Sequence, residues 1–239
     1  KIYLNLFLIL LFSVNKINSQ ETRFYFQDST ISSEGVLRDG KPDGFWKTYY
    51  ENSNLKSEGN RKNFLLDSTW NFYYLNGRIN KVINYRESKK EGLFILFNKN
   101  GIVIEETNYK NNYKNGFAEI YTANENDDSV FLREKNNYSN GVLDDFCYEY
   151  DSFNNVITIK KFNKGMLLFK EQINRYDDQL KKHGKWKSFH TNGKVKWEGT
   201  YVHGKLEGKI KEYNTKGGIK KIDSYTNGQP TLKKEPILF

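Results

Sequence analysis

KHGKWKSFHTNGKVKWEGTYVHGKLEGKIKEY, residues 182–213, states one motif in full and begins it again. Gly184, Trp186, Phe189, Gly193, Val195 and Tyr201 come once; Gly204 and Gly208 open a second statement that continues with Ile210 and Tyr213. The step from Gly184 to Gly208 is 24 residues. A fixed period of this size marks a repeat architecture, in which each unit is one supersecondary element packed only against its neighbours.

The same spacing runs through the chain. Steps of 24 from Gly44 reach Ser68, Gly92 and Gly116. Two residues after each stand Trp46, Trp70, Phe94 and, as an exception, Ala118; three further on stand Tyr49, Tyr73, Phe97 and Tyr121. Gly77 and Gly101 keep the period, as do Gly193 and Gly217. An aliphatic column reads Leu55, Ile79, Val103, Val195 and Ile219, and a second tyrosine column reads Tyr85, Tyr109, Tyr201 and Tyr225. Two copies are stretched, one by five residues within 124–129 and one by an insertion ahead of Gly184; Cys147 fills the Trp position of the fifth copy. Seven full or nearly full units follow a leading half unit with Ile31, Leu37 and Gly40.

Each unit reads as strand, turn, strand, turn. The expected fold is all-β, an elongated repeat sheet of about seven consecutive antiparallel β-hairpins. Asn76-Gly77 suits a two-residue type I′ turn, and Gly92, Gly116 and Gly208 are expected to supply positive φ at the second turn of the unit. If Asn192-Gly193 is such a two-residue turn, His190 faces Val195 and Ser188 faces Trp197. Alternation then puts Trp186, Val195, Trp197 and Tyr201 on one, buried face. Lys187, Phe189, Lys194 and Lys196 fall on the other, together with the aromatic column; a one-residue bulge would exchange the faces.

In chain order, residues 1–19 read as a signal peptide, with Lys1, an apolar run and a short polar end. Residues 20–34 form an N-terminal strand or cap, 35–169 repeats, 170–183 an irregular insertion, 184–228 repeats and 229–239 a tail. Within the insertion two readings stay open: an extra strand over 166–173 paired with 156–162, or one short helical turn. The chain is then exported, to the periplasm, the cell envelope or outside the cell. A single cysteine excludes an intrachain disulfide, so stability rests on sheet hydrogen bonds and aromatic packing.

The runs at 40–50 (GKPDGFWKTYY), 183–199 (HGKWKSFHTNGKVKWEG) and 204–213 (GKLEGKIKEY) resemble the MORN repeat family, and more closely its bacterial antitoxin-like variant. The resemblance covers residues 35–228. It implies 24-residue MORN-type hairpin units with binding or scaffolding roles; the antitoxin-like variant implies a toxin as partner.

Charge is concentrated. Residues 181–221 hold twelve lysines against three glutamates, a surplus equal to the +9 of the whole chain. Such a segment steers anionic partners toward itself. The expected binding residues are Lys187, Phe189, Lys194, Lys196, Lys209, Lys211 and Tyr213. The leading expectation is a protein partner; the alternative is peripheral binding to anionic lipid or polysaccharide. Export makes nucleic acid an unexpected ligand. No catalytic constellation stands out: Asp127-Asp128 and Asp144-Asp145 fall in turns and loops, and the glycines recur as turn punctuation rather than as a phosphate loop. Of the three histidines, His183, His190 and His203, the last two fall near opposite ends of one strand, so no metal and no cofactor is expected.

Overall fold

The structure, a computed structural model, describes residues 19–124 and 129–231. The signal-peptide reading therefore lies outside the described residues except for Ser19, as do residues 125–128 and the end of the tail from 232 onward. The strands in chain order are β1 (Ser19–Tyr25), β2 (Ile31–Arg38), β3 (Lys41–Tyr49), β4 (Leu55–Lys62), β5 (Leu65–Tyr73), β6 (Ile79–Arg86), β7 (Lys89–Phe97), β8 (Val103–Lys110), β9 (Tyr113–Ala123) and β10 (Val130–Ser139). They continue with β11 (Val142–Leu143), β12 (Asp145–Tyr150), β13 (Val156–Asn163), β14 (Met166–Gln172), β15 (Arg175–Tyr176), β16 (Lys182–Phe189), β17 (Val195–Val202), β18 (Lys205–Tyr213), β19 (Ile219–Thr226) and β20 (Gln229–Pro230). Every pairing is antiparallel, between chain neighbours except that β10 pairs with β12 as well as with β11, and no helix occurs among the described residues. β1 to β14 form one open sheet and β15 to β20 a second. The all-β hairpin-repeat fold expected from the period is the fold observed.

An open single layer has little interior, and the period shows how it makes one. One face carries a column in strict cross-strand register: Gly35, Trp46, Gly59, Trp70, Ile83, Phe94, Thr107, Ala118 and Asn136. Each of the first two indoles lies flat over the glycine of the strand before it. A Cβ built on Gly35 would stand 2.5 Å from Trp46 Cδ2, and one on Gly59 2.4 Å from Trp70 Cδ2. The indole Nε1 of Trp46 donates to the Val36 carbonyl at 3.1 Å, and that of Trp70 to the Asn60 carbonyl at 2.8 Å. Where Ala118 replaces the large ring, the neighbouring Thr107 and Asn136 are larger than glycine, so volume is conserved along the column. Cys147 holds its Trp position as a buried small residue; burial pushes its thiol up from the ordinary value, which opposes a nucleophilic role.

The opposite face carries the aromatic column, which alternation along each strand places there, and each ring stands beside a bulge in the return strand. Tyr49 pairs with Leu55 but Thr48 with Ser57, so Lys56 is extra; the same slip occurs at Tyr73, Phe97, Tyr150, Phe189 and Tyr213. Phe189 therefore faces Val195, while Ser188 faces Trp197 as expected. This corrects the expected faces: Trp186, Trp197 and Tyr201 share one side, but Val195 joins Phe189 on the other, and Lys196 is the extra residue with no cross-strand partner.

The turns are exchanged relative to expectation. At Asn76-Gly77 only the glycine has positive φ (80°), and Tyr74 N–H bonds the Arg78 carbonyl while Gly77 N–H bonds the Tyr74 carbonyl. This is a three-residue loop, a type I turn closed by a left-handed residue, and it brings the bulged geometry with it. The true two-residue turns lie at the other end of each unit, at pairs such as Asp39-Gly40, Asn63-Phe64 and His203-Gly204, where both residues have positive φ. Gly92, Gly116 and Gly208 do have positive φ, but inside β7, β9 and β18, opposite or beside the second tyrosine column rather than at a turn.

Candidate functional site

The irregular insertion is where the repeat changes. The extra-strand reading holds: β14 pairs with β13 across Lys164-Gly165. Ile173 then bonds the Ile157 carbonyl, still on the β13 side, and the next residue, Asn174, turns to β16. Asn174 N–H donates to the Lys185 carbonyl at 2.9 Å. Its side-chain amide donates to the carbonyls of Val156 at 2.8 Å and Lys187 at 3.0 Å, and accepts from Lys187 N–H at 2.8 Å. One buried side chain, 6% exposed, thus replaces backbone pairing and splices the two sheets. Ile173 beside it is fully buried.

The splice leaves β14 as an edge. Along Met166–Gln172 its only strand partner among the described residues is β13. Met166, Leu167, Leu168 and Phe169 are all exposed, at 62, 50, 51 and 42%. An apolar strand edge with unpaired backbone is a surface that proteins ordinarily blunt with charge or proline.

Beside this edge the aromatic faces of both sheets line a groove of about 670 Å³, with Phe146, Tyr148 and Phe169 on one side and Phe189, Val195 and Tyr213 on the other. Glu171, Lys187 and Glu198 are its charged floor. Glu171 bonds Lys187 at 2.7 Å and Lys185 at 3.0 Å, tying β14 to β16. Burial raises the Glu171 carboxyl, but these two hydrogen bonds and charges more than offset it and hold it below its ordinary range. Tyr213 Oη donates to Glu198 at 2.5 Å, which, with partial desolvation, pushes the phenol up to about 12.

The residues expected to bind are brought together in part. Lys187, Phe189, Lys194 and Tyr213 line this groove, and Lys209 and Lys211 line an adjoining depression with Lys187. Lys196 lines neither, because it is the bulge residue. The positive charge is less available than the count of lysines suggests. Lys187 is paired to Glu171 and lies 3.9 Å from Glu198, Lys211 lies 3.5 Å from Glu198, and Lys194 Nζ donates to the Lys216 carbonyl at 2.9 Å. Glu171 lies outside the 181–221 window, so counting charge along the chain missed its compensation in space. The sequence also gave no sign of Asn174; an asparagine in a polar insertion reads as a turn residue.

His190 Nε2 bonds the Tyr213 carbonyl at 2.9 Å, in the slot where Tyr50 and Tyr74 bond the carbonyls of Tyr73 and Phe97, so it is a turn-to-turn link. His183 and His203, which sequence reasoning did not pair, have ring centroids 5.1 Å apart, with His203 Nδ1 2.8 Å from Asp177 Oδ2.

Fold and junction together define a hairpin-repeat protein with an open sheet and a spliced second sheet. In comparisons, the model of the MORN repeat variant matches residues 42–63, 90–111 and 182–203, each covering the strand that carries Trp46, Phe94 or Trp186, its three-residue turn and the return strand. MORN repeats are commonly modules that bind other proteins or membranes. No curated protein matches the chain. Among solved structures, the crystal structure of TcdB2-TccC3-TEV is similar over 86% of this chain and 12% of that one, at 13% identity and a TM-score of 0.26.

Proposed function

We propose that this protein is an exported, non-enzymatic scaffold that binds a protein partner at the sheet junction. The partner lays an extended segment along the edge of β14, adding a strand to the first sheet, while its side chains enter the aromatic groove. The observation that carries this reading is the run of four exposed apolar residues, Met166 to Phe169, on a strand whose outer edge has no strand partner among the described residues. Strand addition takes affinity from main-chain hydrogen bonds and specificity from the pockets beside them. Phe189 and Tyr213 then supply groove wall, and Lys194 and Lys209 a rim that favours acidic side chains in the partner. The antitoxin-like form of the reading is the case in which that partner is a toxin.

The test is a pull-down from native envelope extract with the chain as bait, beside a Met166→Lys/Leu168→Lys variant. One protein retained at high salt by the parent and released by the variant supports strand addition. Retention by both places the partner elsewhere on the sheet. Recovery of anionic lipid or glycan alone, lost on raising salt, transfers the function to the basic surface of the second sheet.

A further inference from the structure

In the first sheet the two kinds of turn never mix. Three-residue loops stack on three-residue loops: Tyr50 Oη bonds the Tyr73 carbonyl and Tyr74 Oη the Phe97 carbonyl. Two-residue turns stack on each other through an acid at a fixed place. Asp43 caps Asn63 N–H at 3.0 Å, Glu91 caps Asn111 at 2.9 Å, and Asp144 caps Lys164 at 3.0 Å; Glu207 caps Asn227 in the same way at 2.8 Å.

The insertion breaks this order. Asp177–Lys181 is a three-residue loop of the usual kind, with Asp177 N–H on the Lys181 carbonyl and Leu180 N–H on the Asp177 carbonyl. The next loop, at His190–Lys194, is of the same kind. No two-residue turn comes between them, so β16 begins beside a three-residue loop and ends at another. The Asp177 loop therefore lies at the same sheet edge as the two-residue turn His203-Gly204.

At this meeting point the repeat changes its residues. His183 stands where four other copies carry the capping acids Asp43, Glu91, Asp144 and Glu207. His203 stands at the first position of the two-residue turn, with φ +45°, where five other turns have Asp39, Asn63, Asn111, Asn140 and Asn227 and two have Glu87 and Lys164. His203 N–H still points at His183 Nδ1, but at 3.5 Å, a weak contact compared with the acid caps. Asp177 is held from behind: its Oδ1 accepts from Gln179 N–H at 3.0 Å and Lys181 N–H at 2.9 Å, leaving Oδ2 turned to His203. One ligand atom from each of Asp177, His183 and His203 lies within 4.8 Å of the others.

We propose that Asp177, His183 and His203 form a surface site for a borderline divalent transition metal, with zinc as the reference ion. Two imidazoles and a carboxylate are a ligand set that this class of ion takes, with remaining positions open to water. Hard oxygen-seeking ions such as magnesium or calcium are not suited to a site two-thirds imidazole. Binding displaces the His203–Asp177 and His203–His183 contacts in favour of the metal. It clips the β15–β16 loop to the β17–β18 turn at the same end of the second sheet.

The test is calorimetric titration of the full chain, purified without a polyhistidine tag, with zinc chloride in a non-chelating buffer near neutral pH. Expected is one saturable equivalent. His203→Asn restores the residue common at this turn and so preserves the fold; it should weaken binding by more than about tenfold. Asp177→Asn keeps the loop-capping oxygen and should also weaken it, while His190→Gln should leave it unchanged. Absence of saturable binding by the folded parent overturns the site. So does equal affinity in His203→Asn, or loss in His190→Gln alone.

Discussion

The first sheet and the second are built from the same unit, yet they bury themselves differently. In β2 to β5 the indoles of Trp46 and Trp70 lie on glycine strands, and both rings are nearly fully buried. In the second sheet Trp186 turns back over β15, its Nε1 bonded to the Arg175 carbonyl at 3.1 Å and its ring edge-on to Tyr176 at 5.2 Å. The glycine at that register, Gly199, is covered instead by Ile210, whose Cδ1 would stand 2.4 Å from an added Cβ. A glycine under a ring fixed at its root and a glycine under the tip of a flexible chain demand different things of the sequence.

That difference gives the largest expected effect. Gly59→Ala drives a methyl into Cδ2 and Cγ of Trp70, atoms that cannot move without tearing the indole from its bond to Asn60. The cost should be about 3 kcal/mol, at the upper end for overpacking. Gly199→Ala meets the terminal methyl of Ile210, which can change rotamer, and the outer edge of the Trp197 ring at 3.1 Å, and should cost less, about 1–2 kcal/mol. Urea titration of the two variants checks the contrast; equal costs would mean that the two columns are packed alike.

Next is the splice. Asn174→Ala leaves Lys187 N–H and the carbonyls of Lys187 and Val156 without their partners in a buried place, at about 2–3 kcal/mol. Because β16 meets the first sheet mainly here and through Glu171, this loss should fall on the coupling between the sheets. The expected signature is a second transition in thermal unfolding, followed by fluorescence of Trp186 and Trp197 ahead of Trp46 and Trp70. A single, uniformly lowered transition would mean that the sheets are coupled by something other than Asn174.

Against this background, what the sequence disclosed and withheld can be separated by cause. The period exposes everything that recurs: the Trp column, the aromatic column on the opposite face, and the elongated sheet. It misplaces Val195 because Asn-Gly serves both a two-residue turn and a three-residue loop, and only the hydrogen bonds of Tyr74 and His190 distinguish them. It says nothing of Asn174, or of the grouping of Asp177, His183 and His203, because both arise where the repeat is broken and period carries no information. The groove residues Phe189 and Tyr213 were legible as members of a column, whereas their partners Phe146 and Phe169 belong to the other sheet.

A smaller effect concerns the aromatic face, where the two sheets agree. Tyr73 donates to Glu58 at 2.6 Å and Tyr213 to Glu198 at 2.5 Å, each reaching 15 residues back. Two copies lack both groups: Phe97 stands 15 residues after Val82, and Phe189 15 residues after Asn174. Tyr73→Phe should cost about 1 kcal/mol, and Glu58→Val added to it should cost less than the sum of the single changes. Burial first, then the hydrogen bond and charge of Glu58, raise the Tyr73 phenol to about 12; for Tyr213 the bond to Glu198 comes first, with the same result. A phenol raised in the folded state stabilises it fully below the ordinary phenol range and loses that stability as pH climbs toward 12. Alkaline unfolding should therefore track the tyrosinate absorbance of these residues. Independent titration well before unfolding would refute the ladder.

The smallest effect is a gain, and it tests whether the inserted loop is a member of the repeat or an accident beside it. Three-residue loops close on a left-handed residue, which is glycine at Gly77, Gly101, Gly193 and Gly217, but Leu180 (φ 59°) in the inserted loop and Ser29 (φ 66°), Ser53 (φ 64°) and Asn154 (φ 62°) in the first sheet. A leucine side chain clashes with its own backbone there, at about 1 kcal/mol, and Leu180 is 83% exposed, so little packing offsets the strain. Leu180→Gly should raise stability by up to about 1 kcal/mol, reduced by the freedom that glycine adds to the unfolded chain. Ser53→Gly should gain less, because the smaller side chain is less strained. A loss of stability in Leu180→Gly would show that the leucine makes a contact that outweighs its strain, and that the loop has been shaped for something other than closing a hairpin.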